Sequence, residues 1–468
     1  MIARALVMLV VAGAPGAVPV GSLHRVPGSA GCISPADVAA PCRHARELRT
    51  QIVMSADGRT VYTIGGIDSR SAIAVLRRDA RTGTLEQLRG RAGCVLPAGG
   101  SCTRGLLNNP AALVATSDGR EVVWANPPSR HFLVAYRRTA SGALSELPCG
   151  LSCVAGERGL PSCAKALATS PDGRNLYVAC GRGLAVYARD AATGRITQLP
   201  GAAGCVHETG RDGCPMPRLG SFTPGFVVVS NDGSSVYALS NGGDGVYAFA
   251  RNTATGALTP AACYVRVPSP PAPSPCRPLF GLETVYSLDL SRDDRNAYVV
   301  GRSSGSEQAI VVLARAANGG LAGVATIRLG NAFAGGVTVA PDGKSVYVTN
   351  ENGVDAFARA RNGRLSRLPG SSGRLRVHPT SATTPSVSRR TAATRTSRPA
   401  THRTRSRTGS LSCGERASGE RPTRHHPLWP NRRGRRYAGS PESRRLRGPP
   451  LPADIQVPDV PIENPQSA

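Results

Sequence analysis

The chain has 468 residues, 40% of them apolar and 4% aromatic, with a formal net charge of +27. Arg supplies almost all of the positive charge, Lys165 and Lys344 being the only lysines, and about half of the excess lies in residues 371–468, where 19 Arg stand against 6 acidic residues. The remaining charge is dilute, and without basic clusters and interleaved stacking aromatics it argues against a nucleic-acid-binding surface.

Met1-Ile2-Ala3-Arg4, the apolar run from Ala5 to Ala12 and the small residues from Gly13 to Ala17 have the charged start, short apolar core and cleavage region of a secretory signal. Residues 1–22 are read as that signal. The run is too short to span a bilayer comfortably and no other long apolar run follows, so the mature chain is expected to lack a transmembrane span and to be secreted or held in the cell envelope. Cysteine usage agrees. Ten of the 13 Cys form close pairs, Cys32 with Cys42, Cys94 with Cys102, Cys153 with Cys163, Cys205 with Cys214 and Cys263 with Cys276, which an oxidising compartment would close into loop staples. The pairs lack the second Cys or His pair that a zinc site needs, so neither a metal nor a cofactor is expected. Cys149 and Cys180 stand outside the series, and a bond between them or a buried thiol is expected.

From Gln51 to Leu368 one text recurs six times. Its turn Asp falls at Asp57, Asp118, Asp172, Asp232, Asp293 and Asp342, at intervals of about 50 to 60 residues, the period of a propeller repeat. Five copies carry Tyr five residues later, at Tyr62, Tyr177, Tyr237, Tyr298 and Tyr347; the second carries Val123. In the clearest copy, residues 166–169 predict a first strand, Asp172-Gly173 a hairpin turn, 176–179 a second strand, 184–188 a third, Thr193-Gly194 another turn and 196–199 a fourth. Four antiparallel strands per repeat, stacked radially, predict an all-β protein, a β-propeller spanning residues 23–370.

The text Ser-Pro-Asp-Gly-x-x-x-Tyr-Val, at residues 170–178 and again from Pro341 to Val348, resembles the YVTN-type repeats of the lactonase-like seven-bladed propellers. These include 6-phosphogluconolactonase-like and carboxymuconate-cyclising proteins. The resemblance implies the fold; it carries over no active-site residue, because the shared positions are turn and core residues.

Seven blades need more chain than six repeats supply. Residues 23–32 match only the last strand, 23–26, and the Cys loop of a repeat, so the C-terminus should provide three further strands. After Gly373 the repeat demands Cys, yet Arg374-Leu375-Arg376-Val377 appears. The Arg-, Pro-, Ser- and Thr-rich residues 371–468 are read as a disordered tail. One account is a frame-shifted translation that replaced the seventh blade; the other is a genuine basic tail.

An Arg follows every third strand, at Arg78, Arg138, Arg189, Arg251, Arg315 and Arg359. Such repetition points to pairing with the turn Asp of the same or a neighbouring blade, since a site needs unlike groups converging. Unlike groups occur in the loops between second and third strands, on the opposite face: Asp68, Arg130, His131, Arg182, Asp244, Glu307 and Glu351, with Arg302 and Asn350 beside them. His131 is the foremost proton-transfer candidate, whereas His207, inside a Cys loop, is expected to face solvent. Two readings stay open: a scaffold that binds a small molecule or a protein at the loop face, and a lactone hydrolase or lactone-forming isomerase using these carboxylates and His131.

Overall fold

The computed structural model describes residues 20–24, 26–35, 42–45, 51–67, 70–107, 112–125, 133–148, 164–217, 222–240, 245–266, 276–370 and 373–376. All belong to one compact unit, Met1–Ser386. Among them no helix is long and apolar enough to cross a membrane. The chain is an all-β propeller of six antiparallel blades, I to VI in chain order. Their innermost strands are Gln51–Met54, Ala112–Ala115, Ala166–Thr169, Pro224–Val229, Thr284–Leu290 and Ala334–Val339.

Blade III shows how the repeat folds. Ala166–Thr169, Asn175–Cys180, Gly183–Arg189 and Ile196–Gln198 pair in sequence order. In its first turn the Ser170 hydroxyl donates to Asp172 Oδ1 at 2.5 Å, the Arg174 amide donates to the same oxygen at 3.0 Å, and Gly173 takes φ +68°. A short acceptor at the first residue and a left-handed residue after it fix the chain reversal locally. Leu176 and Val178 pack on Val123 and Ala135 of blade II, while Tyr177 and Val186 pack on Val236 and Ala238 of blade IV. Both faces of this sheet are therefore core, which is why its second strand reads as an almost unbroken apolar run.

The fourth strand is shorter than expected. After Ile196–Gln198 the chain makes a 3-10 turn, Gly201–Gly204, and Cys205–His207 returns to the other end of the same third strand. In blade VI, Arg374–Arg376 returns to Gly353–Arg359 in the same way, so the sheet continues past the point where the repeat text stops. Of the strand expected over 23–26, the described residues 23, 24 and 26 stand in none.

In blades II to VI the Arg that ends the third strand reaches the turn Asp of the preceding blade, not that of its own. Arg251 of blade IV donates from Nε to the Tyr177 hydroxyl at 2.7 Å, and from its terminal nitrogens to Asp172 at 2.9 Å and Asn175 Oδ1 at 2.6 Å of blade III, and to its own Gly233 carbonyl at 3.0 Å. Arg138 with Asp57 and Tyr62, Arg315 with Asp232 and Tyr237, and Arg359 with Asp293 and Tyr298 repeat the arrangement. The Tyr hydroxyl in turn donates to the turn Gly carbonyl of the following blade, as from Tyr177 to Gly256 at 2.9 Å. Blade II has Val123 in place of Tyr, and there the buried Glu121 supplies the acceptor: Arg189 reaches both Glu121 and Asp118.

Burial holds the clasp tyrosines in the neutral form, raising Tyr62 and Tyr177 to about 12. For Asp57 and Asp232 burial opposes ionisation but is outweighed, by the Ser55 hydroxyl, the Arg59 amide and Arg138 for Asp57, and by Ser230, Ser234 and Arg315 for Asp232, so that both fall to about 2. Asp118, Asp172 and Asp293 shift in the same direction.

Arg251→Ala, which strips a buried guanidinium from four partners, is expected to cost about 2–3 kcal/mol in urea unfolding. Arg78→Ala is the control. Among the described residues Arg78 reaches only its own Gly58 carbonyl, at 3.3 Å, so its loss should cost under about 1 kcal/mol. Because the clasp carboxylates have folded pKa values below the unfolded value of 3.8, their contribution is complete above that pH and is lost as pH falls towards 2. Circular dichroism should therefore show one cooperative acid transition in that window; a fold unaffected at pH 2 contradicts the assignment.

Candidate functional site

Five clasps engage most of the repeated charges on the turn face, and the unlike groups expected for chemistry stand on the loop face. Its candidate residues are dispersed. Arg182 pairs with the buried Glu208 at 2.9 Å on blade III, and Glu307 pairs with Arg328 at 2.9 Å on blade V. Asp68, Arg130, His131 and Asp244 lie outside the described residues. His207 is buried, contrary to the solvent-facing position expected of it, because it ends the strand Cys205–His207; its Nδ1 accepts the Thr209 amide at 3.2 Å. On blade VI the wholly buried Asp355 binds Arg374 at 2.6 Å, Arg367 at 3.0 Å and Asn350 Nδ2 at 3.1 Å, a pairing that ties the returning strand Arg374–Arg376 to the sheet.

Unlike groups do converge at the loop-face mouth between blades V and VI. The innermost strand of blade V carries a bulge between Val285 and Ser287, so Tyr286 is left without a ladder partner. Blades IV and VI bulge at the corresponding place, but on Gly225 and Gly335. A bulge re-aims the side chain at its unpaired residue. Only in blade V is that side chain an aromatic, and the Tyr286 ring lies 4.9 Å from Phe333, at 52°, with Phe333 44% exposed.

Beside this pair, Arg302 stands opposite Thr284 in the ladder. Its Nη2 donates to the Thr284 hydroxyl at 3.3 Å, and its enclosed Nε faces the Glu283 carboxylate at 3.6 Å. The Glu351 amide donates to the Phe333 carbonyl at 3.1 Å, which brings Glu351 to the rim of the same mouth. Below it, Asp289 accepts the Val339 amide at 2.8 Å and the Thr338 hydroxyl at 3.3 Å; burial raises its pKa, and these donors pull against that. Ser287 caps the Val337 amide at 3.2 Å. Both therefore join blade V to blade VI. An aromatic surface next to a guanidinium suits a hydroxylated ring that carries an anionic group.

No family model matches the sequence, and no curated protein matches it. Solved structures do. The periplasmic gluconolactonase PpgL of Pseudomonas aeruginosa superposes with a TM-score of 0.51 at 20% identity, over 74% of this chain and 89% of that one. A candidate 6-phosphogluconolactonase of Bacteroides fragilis gives 0.50 at 19% identity, over 67% and 81%, and another from Bacteroides uniformis gives 0.50 at 20%, over 68% and 85%. The chain shares the β-propeller fold of these structures. At such identity the likeness extends to the fold alone, and the site of this propeller rests on its own residues.

Of the expected residues, the mouth gathers Glu351 with Arg302; Arg182 and Glu307 are engaged elsewhere. Tyr286, Phe333 and Glu283 escape a search confined to the loops between second and third strands. The one available signal was Tyr286 standing where two other copies carry Gly.

Four of the expected disulfides are formed: Cys32–Cys42, Cys94–Cys102, Cys205–Cys214 and Cys263–Cys276. Cys153 and Cys163 lie outside the described residues. Cys180 is also disulfide-bonded, to a partner outside them. Each formed bridge closes a short loop-face segment, as where Cys94–Leu96 runs parallel to Thr103–Arg104. Replacing Cys205 and Cys214 together by Ala should cost about 2–3 kcal/mol if loop entropy dominates. Equal unfolding midpoints with and without this bridge would show that the strand pairing alone holds the segment.

Proposed function

We propose that the protein is an exported lactonase-like propeller that binds a small hydroxylated anion, of the sugar-acid or sugar-lactone class, at the mouth between blades V and VI. The observation that carries this reading is the bulged Tyr286 stacked near the exposed Phe333 beside Arg302. The ring pair offers apolar faces to the C–H surface of a sugar, and Arg302, oriented by Glu283 and Thr284, offers its exposed fork to a carboxylate or phosphate. Disulfides at the loop face fit an oxidising, extracytoplasmic compartment. A periplasmic location of PpgL is consistent with that assignment.

Glu283, 3.6 Å from a guanidinium, favours a second reading, hydrolysis of the lactone. There the carboxylate would activate water while Arg302 polarises the carbonyl oxygen. Calorimetric titration with gluconate and 6-phosphogluconate tests binding, and loss of glucono-1,5-lactone tests turnover. Arg302→Ala and Phe333→Ala are each expected to weaken binding about tenfold, or about 1.4 kcal/mol. If the wild-type chain binds neither acid and hydrolyses no lactone, the mouth is not this site. Turnover abolished by Glu283→Gln with binding retained would establish the enzyme.

A further inference from the structure

The outer edge of blade V differs from those of its neighbours. In blades I, III and IV the outermost strand reaches the loop face in one register. Cys94 stands opposite Ala74, Cys205 opposite Ala185 and Cys263 opposite Tyr247, each four residues before the Arg that ends the third strand. The Cys loop then covers the outer side of that strand. The Leu96 carbonyl accepts the Gly105 amide at 3.0 Å, the His207 amide donates to the Pro215 carbonyl at 3.0 Å, and Arg277–Pro278 runs parallel to Tyr264 and Val265. Blade V keeps the register and omits the loop. Thr326 takes the Cys place, opposite Val311 and four residues before Arg315, with Arg328 opposite Ala309. The strand Leu321–Gly330 is continuous, and only Asn331-Ala332-Phe333 separates it from the inner strand of blade VI.

This edge is bare. Leu96 and His207 stand at the place of Arg328, and their outward carbonyl and amide show that the backbone groups of Arg328 also point away from the third strand. By the two-residue period of a strand, those of Thr326 do the same. Both residues are exposed, and among the described residues neither makes a backbone hydrogen bond outside its own ladder. Register shifts beside Val324 and Leu329 confine the regular stretch to Ala325, Thr326, Ile327 and Arg328. Exposed edges are commonly kept apart by an uncompensated charge. Here the one charge, on Arg328, is neutralised by Glu307 at 2.9 Å.

We propose that this edge pairs with the same edge of a second copy of the chain, antiparallel about a two-fold axis at Ile327. The stretch is complementary to itself. The Thr326 amide donates to the Arg328 carbonyl of the second copy, the Arg328 amide donates to its Thr326 carbonyl, and the axis repeats both bonds. Ile327, half-buried beside the core between blades V and VI, meets Ile327 of the second copy and is covered by it. Glu307 holds each Arg328, so the two guanidinium groups do not drive the copies apart. Pairing consumes both edges, which closes the assembly as a dimer, and the bulges at either end stop the ladder from lengthening. The contact is small, so the dimer is weak and forms only at raised concentration. It does not rest on the ligand site at the mouth.

Sedimentation velocity of the full chain, from low to high micromolar concentration, should show a monomer passing into a dimer. Over the same range hydrogen exchange should slow at the Thr326 and Arg328 amides, which only the second copy can bond. Thr326→Lys puts an uncompensated charge on an exposed position and should weaken association at least tenfold, with the Tm of the dilute chain unchanged. Thr103→Lys, on the strand that covers the edge of blade I, should leave association as it is. The proposal is overturned if the wild-type chain stays monomeric throughout. It is equally overturned if Thr326→Lys associates as tightly as the wild type, or if the two amides exchange at the same rate at every concentration.

Discussion

The guanidinium that ends the third strand in blades II to VI is the interaction on which the propeller depends. Apolar packing between radial sheets has no directional preference, and one blade could slide on the next along the strand axis. Arg251 removes that freedom by reaching a carboxylate, a phenol and an amide oxygen on blade III while holding a carbonyl of its own turn. The arginine side chains are buried in these clasps and the aspartates half exposed, as for Arg315 beside Asp232, so the charge is neutralised at the edge of the core, where water still reaches the acid. Where the sequence drops the Tyr, at Val123, Arg189 keeps Asp118 and Glu121, the latter standing where Asn175 accepts from Arg251, while its Nε has no acceptor.

That division of labour locates function. Five copies of one clasp give near-equivalent environments, and equivalence is of little use to a ligand with unlike ends. Asymmetry enters where the copies diverge: a bulge that two blades build on Gly225 and Gly335 is built on Tyr286 in the blade between them. The same blade places Arg302 and Glu283 at the mouth and uses Ser287 and Asp289 to hold blade VI against it. Rigid attachment of the two blades beneath the mouth keeps the aromatic pair in place.

The clasp also explains why the ends of the array are informative. Among the described residues no guanidinium reaches Asp342 or Tyr347 at one end, and Arg78 reaches no carboxylate at the other. Leu23 packs on blade VI, and Ile33 and Ala45 pack on blade I.

The sequence by itself determined the blades. Ser170, Asp172 and Gly173 close their turn through contacts within five residues, and the alternation from Leu176 to Val178 assigns both faces of a strand. The order of the four main strands of a blade was therefore legible without tertiary information, whereas the returning strand Cys205–His207 was not. Most of the Cys pairing was legible for the same reason, since the partners are close in the chain. Only the tertiary structure decided which blade each Arg clasps, that His207 is buried, and that Tyr286 meets Phe333. Those outcomes depend on the twist and stagger between sheets, which bring together residues tens of positions apart and leave no periodic trace in the sequence.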